Sequence, residues 1–284
     1  MYPYRLCTLY SGSTGNAAYL ETPHARILID AGKCAKTLIA SLSAVGVPVD
    51  TLDAIIITHD HHDHVAALEV LAKKHPIPVH IMLESAMIYR RNPPEALCSC
   101  FVLHKDPHDR ITVGDVTINA FPTPHDSRAS IGFRFDLPDG TRIGYATDIG
   151  HVSREVHDNL LGCESVVLES NHDVDMLFAG PYPYDLKLRI RSTHGHLSNR
   201  DCADFAAELA SHGTGHILLA HLSEQNNYPD LAFDETASAI AGTGTDLRIA
   251  SPTEVTMLVG DADKPIPKTP LDAACTQAQE VTAP

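Results

Sequence analysis

The sequence predicts a mixed fold of strands and helices whose chemistry gathers at one edge of a sheet. Short apolar, β-branched runs alternate with segments of helical spacing along most of the chain. Four predicted strands run directly into a metal-ligating or acidic residue, namely those before His59, Asp148, Glu169 and His221. A fifth reaches His125 after a short Pro-containing turn. One strand-end histidine is usually structural, but several at one sheet edge imply a shared site.

Taken in order, Arg5 to Leu9 and Ala17 to Thr22 read as strands around the polar turn Ser11-Gly12-Ser13-Thr14-Gly15-Asn16. That turn is a hairpin connection or a phosphate nest. Ala25 to Ile29 is a third strand, ending in Asp30-Ala31-Gly32. Lys36 to Val45 has helical spacing and stops at Gly46. Ala54 to Ile57 is a buried strand that feeds the cluster Thr58-His59-Asp60-His61-His62-Asp63-His64, and Val65 to Ala72 reads as the helix that follows. Val79 to Met82 is a strand, and Glu84 to Arg91 a helix ended by Asn92-Pro93-Pro94. Ile111 to Val113, Val116 to Phe121, Ser130 to Leu137 and Thr141 to Ala146 form hairpins across Gly114-Asp115 and Pro138-Asp139-Gly140. Ser165 to Leu168 is a strand. Ser198 caps a helix that runs to His212 and closes at Gly213. His216 to Ala220 is a strand, Phe233 to Ala241 a helix, and Leu247 to Ala250 and Thr253 to Val259 the last strands. Residues 1–260 make one domain. From Asp261 to the end, residues rich in Pro, Ala, Thr and Lys without periodicity predict a flexible tail.

The histidine cluster carries the metal chemistry. His59 and His61 are two apart, so on extended backbone they share a face and can grip one ion. Asp63 and His64 lie at the turn into the helix and aim at a neighbouring position. Imidazole suits zinc and iron, while a carboxylate suits a harder site or a base.

Composition bounds the alternatives. The 284 residues are 44% hydrophobic, enough for one large core. No run resembles a membrane span. The N-terminus shows no secretory pattern, and seven scattered cysteines fit reduced thiols, so a cytoplasmic location is expected. The formal charge of −15 argues against broad nucleic-acid binding by a basic face. Two divalent ions would reverse that charge locally, where a phosphate must sit.

The set His59-x-His61-x-Asp63-His64, His125, Asp148 and His221 resembles the metallo-β-lactamase superfamily. The resemblance runs over roughly residues 4 to 260. It implies an α+β fold, an αββα four-layer sandwich of two mixed sheets with helices outside. It implies two divalent ions, zinc or manganese with iron a further option. His59, His61 and His125 would hold one, Asp63, His64 and His221 the other, and Asp148 would bridge. Four longer runs, Glu169-Ser170-Asn171-His172-Asp173, Gly180-Pro181-Tyr182-Pro183-Tyr184, Gly195-His196-Leu197-Ser198-Asn199 and Leu219-Ala220-His221-Leu222-Ser223-Glu224-Gln225-Asn226-Asn227, are similar to the WalJ/YycJ group, bacterial proteins linked to 5′-exonuclease action on DNA. The interval from Asp148 to His221 leaves little room for the inserted domain of the β-CASP relatives.

What the resemblance implies for activity is a dinuclear phosphodiesterase, a 5′-exonuclease acting on DNA ahead of RNA. Asp63 and Asp148 would orient the attacking water. Glu169 and His196 are similar to the Glu–His pair of the tRNA 3′-processing relatives, where the histidine protonates the leaving oxygen. A carboxylate that fixes a histidine tautomer and raises its pKa makes such an acid usable near neutrality. Substrate contacts are expected from Arg128, Ser198 and Asn199, while Asn171 and His172 either bind phosphate or support a metal ligand. Lys187, Arg189 and Arg191 alternate with Leu188 and Ile190, so on extended backbone they would share a face and follow a phosphate backbone. The alternatives are a small-molecule hydrolase for cyclic phosphodiesters or thioesters, favoured by the acidic balance, and a non-catalytic metal-binding regulator. No membrane partner is expected, and the oligomeric state is left open.

Overall fold

The structure is a computed structural model that describes residues 2–92 and 94–269. Strands β1 (Arg5–Tyr10), β2 (Ala17–Glu21) and β3 (Arg26–Ile29) form an antiparallel meander. Helix α1 (Ala35–Ala44) returns the chain to β4 (Ala54–Ile56), parallel to β3. Two short helices, α2 (His62–Val65) and α3 (Leu68–Lys74), lead to β5 (Val79–Met82). Helices α4 (Leu83–Ala86) and α5 (Glu95–Cys98) lead to β6 (Phe101–His104). β5 and β6 continue the parallel half.

The second sheet repeats the plan. β7 (Arg110–Val113), β8 (Val116–Pro122), β9 (Ile131–Asp136) and β10 (Arg142–Ala146) are antiparallel. Helix α6 (Arg154–Leu160) then crosses to β11 (Ser165–Glu169), parallel to β10. Helices α7 (Val174–Ala179), α8 (Tyr184–Ile190) and α9 (Asn199–Ser211) cross to β12 (His216–Ala220), and α10 (Pro229–Ala239) to β13 (Asp246–Ile249), both strands again parallel. β14 (Thr256–Val259) closes the circuit against β1. Among the described residues each sheet has seven strands, antiparallel at one end and parallel at the other, where helical crossovers are obligatory.

Side-chain alternation separates the layers. Leu6, Ile27, Ile29 and Ile56 of the first sheet pack with Phe133, Phe135, Ile143, Val167 and Leu218 of the second. The intervening Cys7, Leu28 and Ile55 face outward onto Leu38 and Leu42 of α1 and Leu68 and Leu71 of α3. Val166, Leu168, Ile217 and Leu219 face the other way, onto α6 and α9. Successive strand residues point to opposite faces, and strands covered on both sides read as continuous apolar runs. The result is the expected four-layer α+β sandwich.

Several expectations change. The helix expected over Val65 to Ala72 is two short helices, the first beginning inside the histidine cluster. The helix expected over Glu84 to Arg91 is α4 followed by a 3-10 turn, Met87–Tyr89. β6, α5, α6 and α7 have no counterpart in the sequence reading; β6 is a short edge strand, and α6 has only Val156 and Leu160 as buried positions. The basic segment Lys187 to Arg191 is helical rather than extended. Leu186 and Ile190 are half-buried at helical spacing, and Pro183 occupies the N-cap, so the 3.6-residue period wins over the apparent alternation. Lys187 is 8% exposed, and its ammonium donates to the carbonyls of Phe178 and Gly180, both at 2.7 Å.

A buried charge triad ties the first sheet to the chain beyond β14. Glu21 accepts from Arg5 Nε at 2.5 Å and from Arg26 Nε at 3.0 Å. Arg5 also donates to the carbonyls of Val45, Asp261 and Ala262, and Ile266 N–H donates to Glu21. Thr269 N–H reaches Pro23 O. Of the expected tail, residues 261–269 therefore contact β1, β2 and their turns, and residues 270–284 lie outside the described residues. The six described cysteines are free thiols; Cys275 is not described. Among the described residues no helix is long and apolar enough to cross a membrane.

Removing one partner of a buried ion pair leaves an uncompensated charge and costs about 3–5 kcal/mol. Glu21→Ala strands two buried guanidinium groups, so its urea midpoint should fall by that equivalent with the slope unchanged. A loss below about 1 kcal/mol would show that the triad is not a structural anchor.

Candidate metal centre

The site forms where strand ends of the two sheets meet. β4 delivers Thr58 and His59, and the extended turn ahead of α2 carries His61. Asp63 and His64 belong to α2 itself. The β8–β9 loop brings His125, the end of β10 brings Asp148, β11 ends in Glu169, and β12 runs into His221. Among the described residues, three non-glycine positions have left-handed backbone: Asp30 (φ 60°), Asp148 (φ 57°) and His221 (φ 58°). All three end a strand at this site. The conformation is costly for ordinary side chains and concentrates at functional positions.

His59, His61 and His125 form one group of ligand atoms within 4.8 Å of one another, and Asp63, His64 and His221 form another. His59, His64 and Asp148 form an overlapping group. His61 Nδ1 lies 3.3 Å from His125 Nε2. His64 Nε2 is 3.4 Å from both Asp63 Oδ2 and Asp148 Oδ2, and His221 Nε2 is 3.6 Å from Asp148 Oδ1.

The outward nitrogen of most rings is held. His64 Nδ1 bonds Asp30 at 2.8 Å, and the same carboxylate accepts from Thr58 N–H and Thr58 Oγ1. His59 Nδ1 meets Thr58 Oγ1 at 3.0 Å. His125 Nδ1 donates to Gly195 O at 3.1 Å. His221 Nδ1 pairs with Glu169 at 2.9 Å. Such contacts fix tautomer and ring orientation, leaving each Nε2 aimed inward.

The inward atoms fit a cation. His59 Nε2, His221 Nε2 and Asp148 Oδ2 are buried with no hydrogen-bond partner among the described residues. Buried polar atoms are otherwise almost always satisfied, and an imidazole–carboxylate set is the donor chemistry of zinc, manganese and iron. The His/Asp cluster is therefore suited to divalent metal. Burial holds His59 well below the ordinary histidine range, and holds His125 down as well. Burial also opposes a charge on His64, but Asp148 and Asp30 outweigh it and push that ring up to about 10. Burial opposes ionisation of Asp148 too; His221, His64, His59 and His125 overcome it and keep the carboxylate charged.

Two close approaches hold the metal loop. A Cβ on Gly32 would lie 1.6 Å from Asp63 O. Asn16 N–H donates to that same carbonyl, and Asn16 Nδ2 reaches Asp63 Oδ2 at 3.3 Å. A Cβ on Gly195 would lie 2.1 Å from Ile190 O, so only glycine fits where the Gly195 carbonyl reaches His125. Asp30, Thr58 and Asn16 were not singled out by the sequence. Asp30 could have been, because it ends β3 as Asp148 follows β10.

Glu169 joins two functions. Its Oε1 accepts from His196 Nδ1 at 2.8 Å and also contacts His221 Nδ1. Its Oε2 accepts the N–H groups of Ile149 and Leu197. Burial works against the Glu169 charge, but His196 and His221, by charge and hydrogen bond, hold it at about 2. Burial disfavours the His196 imidazolium, and Glu169 outweighs it, leaving this pKa raised.

The expected substrate contacts scatter. A cleft of 270 Å³ is lined by His61, Asp63, Asp148, His196 and His221, with Asn171, Tyr182 and Arg189. Asn171 bonds His221 O through Nδ2. Arg189 pairs with Asp126, and exposed Arg128 pairs with Asp60 at 3.1 Å. Arg191 lies 3.4 Å from Asp201 and faces a different groove, between α6 and α9. Ser198 is buried as the α9 cap, and buried Asn199 bonds Ser170 and Asn227. His172 is fully buried, with burial pushing it down to about 4. His62 is exposed.

Comparisons with known proteins identify the family to which this fold belongs. Residues 25–222 match the family described as the beta-lactamase superfamily domain. The chain is 33% identical over 256 residues to exodeoxyribonuclease WalJ of Streptococcus pneumoniae, covering 87% of this chain and 93% of that protein. It is 35% identical over 227 residues to exodeoxyribonuclease YycJ of Bacillus anthracis, covering 79% and 84%. The metallo-β-lactamase fold protein YhfI of Bacillus subtilis shares the fold, with a TM-score of 0.69 at 18% identity over 90% of this chain and 99% of that one. The chain belongs to the metallo-β-lactamase superfamily of metal-dependent hydrolases, in the WalJ/YycJ-type group.

Proposed function

We propose that this hydrolase is a dinuclear phosphodiesterase that removes nucleotides from the 5′ end of DNA. The observation that carries the reading is Glu169, whose one carboxylate oxygen orients both a ligand histidine and a cleft histidine. The likeness over most of the chain to two exodeoxyribonucleases supports DNA as substrate.

His59, His61 and His125 would hold one ion, and Asp63, His64 and His221 the other, with Asp148 shared. Ions so held, zinc or manganese, would lower the pKa of a water and neutralise charge on the phosphoryl oxygens. Asp63 and Asp148 orient the attacking water, accepting its hydrogen bonds at the cleft floor. His196 is the general acid. Its Nδ1 is committed to Glu169, so Nε2 is free to protonate the leaving oxygen, and the ring is 23% exposed at the cleft. Arg189, held by Asp126 and lining the cleft, would contact phosphate there, and exposed Arg128, held by Asp60, would contact phosphate outside it.

A small-molecule hydrolase for cyclic phosphodiesters or thioesters is the second reading, favoured by the charge of −15 and the small cleft. End-labelled single- and double-stranded DNA and RNA, digested after adding Mn, Mg or Zn to metal-free protein, separate the two. Mononucleotides released from the 5′ end of DNA are expected. Untouched DNA beside rapid turnover of a small chromogenic diester would establish the second reading. Full activity of a His59→Ala, His61→Ala double variant would end the metal mechanism altogether.

Elemental analysis should find two ions per chain, and one in Asp63→Ala; a single ion in the wild type refutes the dinuclear arrangement. His196→Ala should keep its metal and lose roughly 10²–10⁴ in kcat on DNA. The loss should be smaller on a nitrophenyl diester, whose leaving group needs no proton. Equal losses on both substrates would remove His196 from the acid role.

A further inference from the structure

The run Gly180-Pro181-Tyr182-Pro183-Tyr184 has no part in the metal chemistry, yet it places an aromatic ring in the catalytic cleft. Tyr182 lines the same 270 Å³ space as Asp148, His196 and His221, together with the apolar Leu186 and Ile190 of α8. This volume is at or below the small end of ligand sites, about 300–1,000 Å³. A base that enters this space to meet the Tyr182 ring must leave the duplex stack. A cleft with a phosphoryl-handling centre and an aromatic, apolar remainder matches the two chemistries of a single nucleotide, its phosphate and its base.

The backbone that carries Tyr182 is also restrained. Prolines on both sides fix the flanking φ angles near −65°. The buried Lys187 ammonium clamps the carbonyls of Phe178 and Gly180 at the end of α7, so α7 and α8 form one braced hairpin with Tyr182 at its bend. A platform fixed in advance loses little entropy on binding. Tyr184, two residues on, is 66% exposed and is not among the cleft-lining residues.

We propose that Tyr182 stacks on the base of an unpaired terminal nucleotide while its phosphodiester lies at the metal centre. The substrate class is thereby a single-stranded or frayed polynucleotide end, read without base preference because every base has a π-face. This rests on the nuclease reading above.

The test is a cycle between protein and substrate with the metal-loaded enzyme. Substrates are a 5′-phosphorylated single-stranded oligonucleotide and the same strand with an abasic terminal residue. On the intact strand, Tyr182→Ala should raise KM roughly 10-fold or more. Loss of the base should do the same to the wild type, and removing ring and base together should cost no more than removing either. Tyr182→Phe should stay within about 3-fold of wild type, since the ring carries the contact. Tyr184→Ala, the control from the same hairpin, should follow the wild type on both strands. Equal kcat/KM of the wild type on intact and abasic strands overturns the proposal without any substitution, so a folding defect in Tyr182→Ala cannot shelter it. Additive losses, or Tyr182→Phe as weak as Tyr182→Ala, overturn it as well. A wild type inactive on the oligonucleotide ends the nuclease reading and this inference together, whereas activity without coupling ends only the inference.

Discussion

Everything at the sheet edge depends on holding several imidazoles and carboxylates together away from water. Isolated, none of these groups would be stable as a buried charge. They persist because most of them are tied on their outer side. Asp30 and Thr58 fix His64 and His59, a backbone carbonyl fixes His125, and Glu169 fixes His221. The inner atoms are then left facing one another, with three of them buried and unpartnered. That arrangement opposes folding locally and is what makes the centre suited to a cation.

The local cost is offset by the rest of the sandwich. Three apolar layers, one between the sheets and one beneath each set of helices, supply burial at a distance from the site. The left-handed backbone at Asp30, Asp148 and His221 survives because each follows a strand whose pairing and packing over-determine it. Stability and reactivity are thus divided between the strand bodies and the strand ends. The parallel halves of both sheets make this division possible, since their helical crossovers leave the strand termini free to carry polar side chains.

Glu169 connects the centre to the cleft. Both of its oxygens are used, one on two histidines and one on two backbone N–H groups. A rigid carboxylate of this kind couples the orientation of His221 to that of His196. The α7–α8 hairpin closes the same cleft from the other part of the chain, braced by a buried lysine that looks in sequence like one more surface charge.

Most of the fold was legible because its strands are short apolar runs with turn residues between them, and periodicity reports that directly. The misses have physical causes. β6 is an exposed edge strand and α6 buries two residues, so neither imprints a strong period. In α8 a charged alternation imitated a strand, while the helix was set by Pro183 and by where Lys187 could bury its ammonium. Which residues could ligate a metal was readable from the chain alone, because ligand chemistry belongs to side-chain type and strand-end position. Folding in three dimensions set which atoms face inward, brought Asp30, Thr58 and Asn16 behind them, and sent Arg189 and Arg191 to different grooves. Those outcomes depend on contacts between segments far apart in the chain, which no local pattern of residues encodes.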